Sequence, residues 1–361
     1  MTASSASGDK GGGSHEHVDQ LPALSHALRD MIVESRRPVI LTHADPDADA
    51  IASVLGMKAL CEHLGVTPRL ATSGDGSMPA NLIFVHEAET LRRVDDDAVR
   101  VADLIIFVDA ADADRLGPLF YRLPDEFERR RPTINIDHHI TNHRFATLNI
   151  VLPEAAATSE IIVAMFDALG LELEPRIATT LMAGIFGDTL GLRTPSTTPT
   201  TLRIAAELME AGADLDLIVD HLFRLKPYST ICLWAEVLQR AEWRGALIWS
   251  QIDPEMLARS GADRTEGEGI VNFLAGTIGA RASALLHEEP WGWRVSMRSI
   301  ADDVDVSAIL QRHGGGGHQR AAGARLPPGI EARDHFLDDI ATILGPRIDN
   351  PSRFSAGADP V

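Results

Sequence analysis

Basic charge is in short supply in this chain. Its 33 lysines and arginines face 52 aspartates and glutamates, giving a formal net charge of −19. Proteins that track long nucleic acids show a basic face, so this balance argues against a long DNA or RNA track. It remains compatible with a short anion held by cations and a few arginines. Cysteine is nearly absent: Cys61 and Cys232 stand alone. That excludes a disulfide framework and fits a reducing compartment, here expected to be the cytoplasm. No apolar run reaches the length of a membrane span, so no membrane association is expected. Residues 1–20 are rich in Ser, Gly and His and lack the apolar core of a signal peptide. They read as a disordered leader. What is present in quantity is ordinary hydrophobic residue, 45% of 361, enough for globular cores and, at this length, for two domains.

The first half alternates short apolar runs with helical spacing. Pro38–Leu41, Leu104–Val108 and Thr133–Ile136 read as strands. A helix is expected from about Asp49 to Leu64, with Ile51, Val54, Leu55, Cys61 and Leu64 at helical spacing and Gly65 as its stop. Alternation of this kind predicts an α/β fold: a mostly parallel sheet with helices on both faces. Ligands of such sheets bind beyond the carboxyl ends of the strands. Thr158-Ser159-Glu160, Pro175 and Pro199 each read as a helix start, and Asp214–Arg244 as a helical connection. From Gly245 a smaller α/β domain is expected. Its strands are Leu247–Gln251, Ala282–His287 and Trp293–Met297, its helix is Val304–Arg312, and a short strand lies near Ala324. The expected division is a leader 1–20, a catalytic domain 21–213, a helical linker 214–244, a substrate-binding domain 245–345 and a frayed tail 346–361, with the active-site cleft between the two domains.

Chemistry-bearing residues sit where these apolar segments end. His43-Ala44-Asp45-Pro46-Asp47-Ala48-Asp49 follows the first strand, Asp109 the second, and Asp137-His138-His139 the third; Asp188 follows the apolar segment Leu181–Phe186. Each alone has an ordinary reading as a turn or a helix cap. Four such sites in one α/β domain make chance a poor account. Carboxylates and imidazoles are hard ligands suited to Mn²⁺ or Mg²⁺. Hydrolysis of a phosphate ester needs a nucleophile at neutral pH and neutralisation of phosphoryl charge. Two divalent cations about 3.5–4 Å apart supply both, with hydroxide attacking phosphorus in line.

His43-x-x-Pro46-Asp47-x-Asp49-Ala50, Val108-Asp109, Asp137-His138-His139 and Gly187-Asp188-Thr189 resemble the four ordered motifs of the DHH phosphoesterase superfamily. The resemblance implies a dinuclear centre, most readily of two Mn²⁺ ions, with Mg²⁺ or Co²⁺ as alternatives. His43, Asp47 and Asp109 would hold one ion. Asp49, Asp109, His138 and Asp188 would hold the other, with Asp109 bridging as a catalytic residue. His139 would face the substrate phosphate as the other catalytic group. Asp45 and Asp137 would orient ligands from behind. Arg115, in Asp114-Arg115-Leu116-Gly117, would reach an anionic ligand. Leu190 departs from the family's Asp-Thr-Gly pattern.

Further along, Arg298-Ser299, the glycine run Gly314–Gly317 with His318, and Ala321-Ala322-Gly323 are similar to the substrate-binding domain associated with DHH enzymes. Glycines let backbone N–H groups approach an anion closely. By this resemblance Arg298, Ser299, Gly315, Gly316, Gly317 and His318 grip the nucleotide. Trp291, Trp293, Phe223, Trp234 and Tyr228 read instead as packing residues. The whole layout is most similar to the bacterial nano-RNase and 3′-phosphoadenosine-5′-phosphate (pAp) phosphatase branch. It implies hydrolysis of short oligoribonucleotides to mononucleotides and of pAp to AMP, with cyclic di-AMP or its linear product as further substrates. Homodimers are common among such relatives. A RecJ-type single-strand exonuclease, a family-II inorganic pyrophosphatase and a non-hydrolytic nucleotide sensor are the alternatives.

Overall fold

The structure, a computed structural model, describes residues 20–44, 46–72, 80–93, 96–128, 131–267 and 269–347. Apart from Gln20, Pro346 and Arg347, the expected leader and tail lie outside the described residues. The described chain forms two compact units that divide between Leu225 and Lys226.

In the first unit β1 (Pro38–Thr42), β2 (Arg69–Thr72), β3 (Arg92–Arg93), β4 (Leu104–Val108), β5 (Thr133–Asp137) and β6 (Leu148–Val151) form one sheet in the order β3-β2-β1-β4-β5-β6. Every pairing is parallel. Its helices are α1 (Leu21–Glu34), α2 (Ala48–His63), α3 (Asp96–Val101), α4 (Pro118–Arg122), α5 (Pro124–Glu128), α6 (Thr158–Ala168), α7 (Pro175–Asp188), α8 (Pro199–Glu210) and α9 (Leu215–Val219). The central strands β1 and β4 read as nearly continuous apolar runs because both faces are covered. Ile40, Ile106, Val108, Ile134 and Ile136 pack with α1, α2, α6 and α7. The alternate residues Val39, Leu41, Ile105 and Phe107 pack with α3 and α4 on the other face. Chain order reverses between β1 and β4, and such a switch point opens a crevice beyond the strand ends.

Two features of α2 bear on the site. Its end follows its sequence: Gly65 takes φ +78° and Val66 N–H reaches back to Cys61 O at 2.9 Å, as helix-ending glycines do. Its burial does not follow the single apolar stripe expected. The small residues Ala50, Ala52, Ser53 and Gly56 are buried as well, because α7 crosses close by. A methyl group on Gly187 would stand 2.6 Å from Ala48 Cβ, and one on Gly56 2.6 Å from Leu181 Cδ2.

In the second unit β7 (Glu242–Arg244), β8 (Leu247–Ile252), β9 (Ala282–Glu289), β10 (Gly292–Ser299), β11 (Gly316–His318) and β12 (Ala321–Leu326) form a sheet in the order β11-β12-β10-β9-β8-β7. Only β8 and β9 run parallel. One face carries α10 (Tyr228–Gln239), α11 (Pro254–Ser260) and α12 (Ile270–Leu274). The other carries α13 (Val306–Gln311) and α14 (Ile330–Leu344). One local expectation needs correction. Glu242–Arg244 is a strand rather than the end of a helical connection, since Gly245 (φ +59°) turns it back onto β8. Part of the glycine run forms β11. Gly315 and Gly317 lie so close to β12 that a Cβ would stand 2.3 Å from Gly323 O and 2.6 Å from Ala321 O respectively. Among the described residues no helix is long and apolar enough to cross a membrane.

Candidate metal centre

The acidic motifs converge at the switch point. His43 directly follows β1, and Asp47 caps α2, accepting from Asp49 N and Ala50 N at 3.1 Å each. Capping therefore falls to Asp47 and leaves Asp49, one residue into the helix, fully buried. Asp109 follows β4 with φ +55°, a left-handed conformation that aspartate tolerates better than most residues. Asp137 ends β5 and delivers His138 and His139, while Asp188 is the last residue of α7. Asp45 lies outside the described residues.

These side chains form three overlapping groups, each with ligand atoms within 4.8 Å of one another: His43, Asp47 and Asp109; Asp49, His138 and Asp188; Asp109, His138 and His139. His43 Nε2 stands 3.6 Å from Asp109 Oδ2. His138 Nε2 stands 3.7 Å from Asp109 Oδ1 and 3.2 Å from Asp188 Oδ2. Donors around an octahedral cation at roughly 2.1 Å stand roughly 3–4 Å apart. The spacing and the all-oxygen-and-nitrogen donor set both fit hard divalent cations. Among the described residues neither thiol joins these groups; Cys61 is buried in the core, where burial pushes its thiol up to about 12.

A polar network behind the site holds the second histidine. His139 Nδ1–H donates to Asp137 Oδ1 at 2.7 Å. Asn142 Nδ2 lies 2.6 Å from Asp137 Oδ2 and 2.7 Å from Asn135 Oδ1, and Asn135 Nδ2 donates to Ala110 O. Asn135 and Asn142 were not singled out from the sequence. Asn142 follows His139 by only three residues, but an isolated Asn in a loop gives no pattern to read.

Without cations the site is electrostatically crowded. Desolvation raises Asp49 well above the usual carboxylate range, with the charges of Asp109 and Asp188 adding to it. Asp47 is raised to about 6. Desolvation comes first there too, but the residue is exposed on one side, so the like charges of Asp109 and Asp188 carry the direction. Burial alone would raise Asp109; the imidazoles of His43, His138 and His139 outweigh it and hold it at about 2. Burial would lower His138, yet Asp188, Asp49 and Asp109 lift it to about 10. A cation must therefore displace protons. Since Asp47 is protonated below about 6 and His138 up to about 10, divalent-cation affinity is expected to rise from about pH 5 to about pH 8, with protons released on binding. Titration calorimetry in buffers of different ionisation enthalpy measures that release. An affinity flat with pH would contradict it.

The Gly187–Leu192 turn carries the departure noted in the sequence. Leu190 and Leu192 adopt φ +50° and +63° around Gly191 at +74°. For leucine the left-handed region costs roughly 1–2 kcal/mol, a cost that glycine at the family's position avoids.

Arg115 is exposed, with its backbone N–H on Asp112 Oδ1. Arg298 Nε donates to Asn272 Oδ1 at 2.8 Å, and Asp302 and Asp303 pair with Arg320 and Arg281. The Ser299 hydroxyl turns inward to Ala301 O and Val304 O, 2.8 Å each. Gly316, Gly317 and the backbone of His318 belong to β11, a terminal strand paired on one side with β12, and Gly315 precedes it. Trp293 is buried as expected, while Trp291 is exposed beneath Arg325. Tyr228 does not pack: it is 81% exposed.

A model described as the DHH family, N-terminal domain, matches residues 37–185, and a DHHA1 domain model matches residues 247–345. The chain is 33% identical over 289 residues to the bifunctional oligoribonuclease and PAP phosphatase NrnA of Thermus thermophilus, spanning 80% of this chain and 83% of that one. It is 28% identical over 333 residues to the cyclic-di-AMP phosphodiesterase GdpP of Geobacillus thermodenitrificans, spanning 84% of this chain and 46% of that one. A solved exopolyphosphatase-related protein from Bacteroides fragilis matches with TM-score 0.81 at 21% identity, covering 89% of this chain and 97% of that one. At that identity the likeness is one of fold.

Proposed function

The chain belongs to the DHH family and is a metal-dependent phosphoesterase; from this premise we propose that it uses Mn²⁺ to hydrolyse short oligoribonucleotides to mononucleotides and pAp to AMP, with cyclic di-AMP or its linear product as further substrates. One observation carries the reading: acids and imidazoles from β1, β4, β5, α2 and α7 meet in overlapping groups that share Asp109 and His138. His43, Asp47 and Asp109 would hold one cation, and Asp49, Asp109, His138 and Asp188 the other. When bound, the cations supply a nucleophile at neutral pH and neutralise charge on the phosphoryl oxygens.

The chain's own groups do the rest. With Nδ1–H committed to Asp137, His139 presents Nε2 to the substrate. Burial works against its charge, but Asp137 and Asp109 outweigh burial and raise it. That upward shift favours the doubly protonated ring, whose Nε2–H can donate to the phosphoryl oxygen as negative charge grows there. Arg298 suits a nucleotide phosphate or base, since its planar fork binds phosphate bidentately or stacks. Together with Ser299, the glycines and His318 it would hold the nucleotide. The DHHA1 match favours this branch over a family-II pyrophosphatase with a different second domain. The acidic balance of the chain favours short substrates over a long strand.

The deciding experiment compares steady-state hydrolysis of a two-nucleotide RNA, pAp, cyclic di-AMP and pyrophosphate with Mn²⁺. Turnover of pyrophosphate alone would overturn the branch. Arg298→Ala is expected to raise KM roughly tenfold to hundredfold with kcat nearly unchanged, as loss of a charged hydrogen bond worth about 1.5–3 kcal/mol implies. A drop in kcat at unchanged KM would place Arg298 elsewhere in the mechanism.

A further inference from the structure

The first turn of α6 touches several proposed ligands at once. Thr158 Oγ1 donates to Asp109 Oδ1 at 3.0 Å. Thr158 N and Ser159 N donate to the two carboxylate oxygens of Asp49 at 2.7 and 2.9 Å. Just before the helix, Ala155 O lies 3.3 Å from His138 Nδ1. A carbonyl only accepts, so Nδ1 carries the proton and Nε2 faces Asp109 and Asp188. The same peptide unit presents its N–H, on Ala156, to Glu160 Oε2 at 3.2 Å. A carboxylate at the N–H end of a peptide polarises it and strengthens acceptance at the carbonyl end.

Packing alone does not account for this turn. Glu160 is 5% exposed and Thr158 fully buried, and no Lys or Arg pairs with Glu160 among the described residues. Thr201, in the first turn of α8, also hydrogen-bonds the Glu160 carboxyl, but no described Lys or Arg offsets its burial, which is costly for a charge. Here it completes a relay: Glu160, the 155–156 peptide, His138.

We infer that Thr158 and Glu160 are positioning residues of the metal centre. Thr158 fixes the carboxylate of Asp109, and Glu160, through the 155–156 peptide, fixes the ring of His138. This rests on the ligand assignment above and deepens it. The two side chains touch neither cation nor substrate. They act by holding donors in the orientation that binding requires, a role worth tenfold to hundredfold in metal affinity at sites of this kind.

The test is calorimetric Mn²⁺ binding to the full chain after chelator treatment, with circular dichroism to verify folding. Thr158→Val and Glu160→Ala should each weaken Mn²⁺ by roughly 10- to 100-fold. Turnover should fall at limiting Mn²⁺ and recover largely at saturating Mn²⁺. Thr158→Ser, which keeps the hydroxyl, and Glu160→Gln, whose amide oxygen still accepts from Ala156 N, should restore affinity. Wild-type affinity in the first pair, or failure of the second pair to restore it, overturns the inference. Where Val or Ala prevents folding, Thr158→Ala and Glu160→Asp take their places, the latter too short to reach Ala156 N. Asp109→Asn separates the two levels. If it binds Mn²⁺ like the wild type, the ligand assignment itself fails. If it loses Mn²⁺ while Thr158→Val and Glu160→Ala do not, only the positioning role fails.

Discussion

Asp109→Asn should remove turnover on every nucleotide substrate and strip the protein of its cations. Asp109 is the residue on which the site turns: it lies in two of the three donor groups and receives His43, His138 and Thr158. Losing a partner that merely orients a ligand costs tenfold to hundredfold; losing a shared donor should exceed the upper end, so a fall of more than about 100-fold in kcat is expected. Asparagine is the sharper substitution because it tolerates the left-handed backbone at φ +55°. Asp109→Ala should fall as far in activity but carries an added backbone cost of about 1 kcal/mol. Folding of the cation-free Asn variant should be little changed, because its loss is chemical. Metal content by mass spectrometry of the purified protein, with hydrolysis assays alongside, reads both effects. Near-normal turnover by Asp109→Asn would end the bridging role.

Gly184→Ala should be damaging out of proportion to one methyl group. In most helix interiors such a change stabilises by roughly 0.5–1 kcal/mol. Here the methyl would stand 2.2 Å from Ser159 Oγ, 2.8 Å from Ala52 Cβ and 2.9 Å from Asp49 Oδ1. Those neighbours belong to α6 and α2, which are packed against α7 and cannot retreat independently. Overpacking of this kind costs about 1–3 kcal/mol or more, roughly 2–12 °C in Tm for a domain of this size. The same displacement moves Asp49, held between α2 and the first turn of α6, so Mn²⁺ affinity should fall with stability. Thermal unfolding of the cation-free protein separates the two consequences. A variant with wild-type Tm and wild-type Mn²⁺ binding would show that the helix crossing is looser than described.

The parts of the fold that sequence reading reached are those with strong local signals. β1 and β4 are nearly unbroken apolar runs and β5 alternates Ile134 and Ile136 with polar residues; all three end in charged or turn-forming residues. α2, α6, α7 and α8 begin at Asp, Thr or Pro and keep helical spacing. β2, β3 and β6 were missed because each is four residues or fewer, and Arg69 and the Arg92-Arg93 pair break any apolar pattern. The α1 stripe of Leu21, Ser25, Leu28 and Ile32 has helical spacing, but it directly abuts a Ser-, Gly- and His-rich segment that carries no helical signal. Within the glycine run, Gly316–His318 is held in a ladder with Ala321–Gly323, a pairing that depends on a strand beyond the run and that the glycines alone do not signal.

The sequence by itself determined the chemistry: which donors exist, that they are hard ligands, and that each stands at the end of an apolar element. Those are local properties, set by residue type and by periodicity over a few positions. Which donors meet was decided only in the folded molecule. Asp49 meets Thr158 across 109 positions of chain and Asp109 meets Thr158 across 49. Ala155 and Glu160 come to His138 only because β5 ends beside the start of α6. Such contacts follow from the order of strands in a sheet and from how closely small residues let helices cross, and no local pattern of residues encodes either.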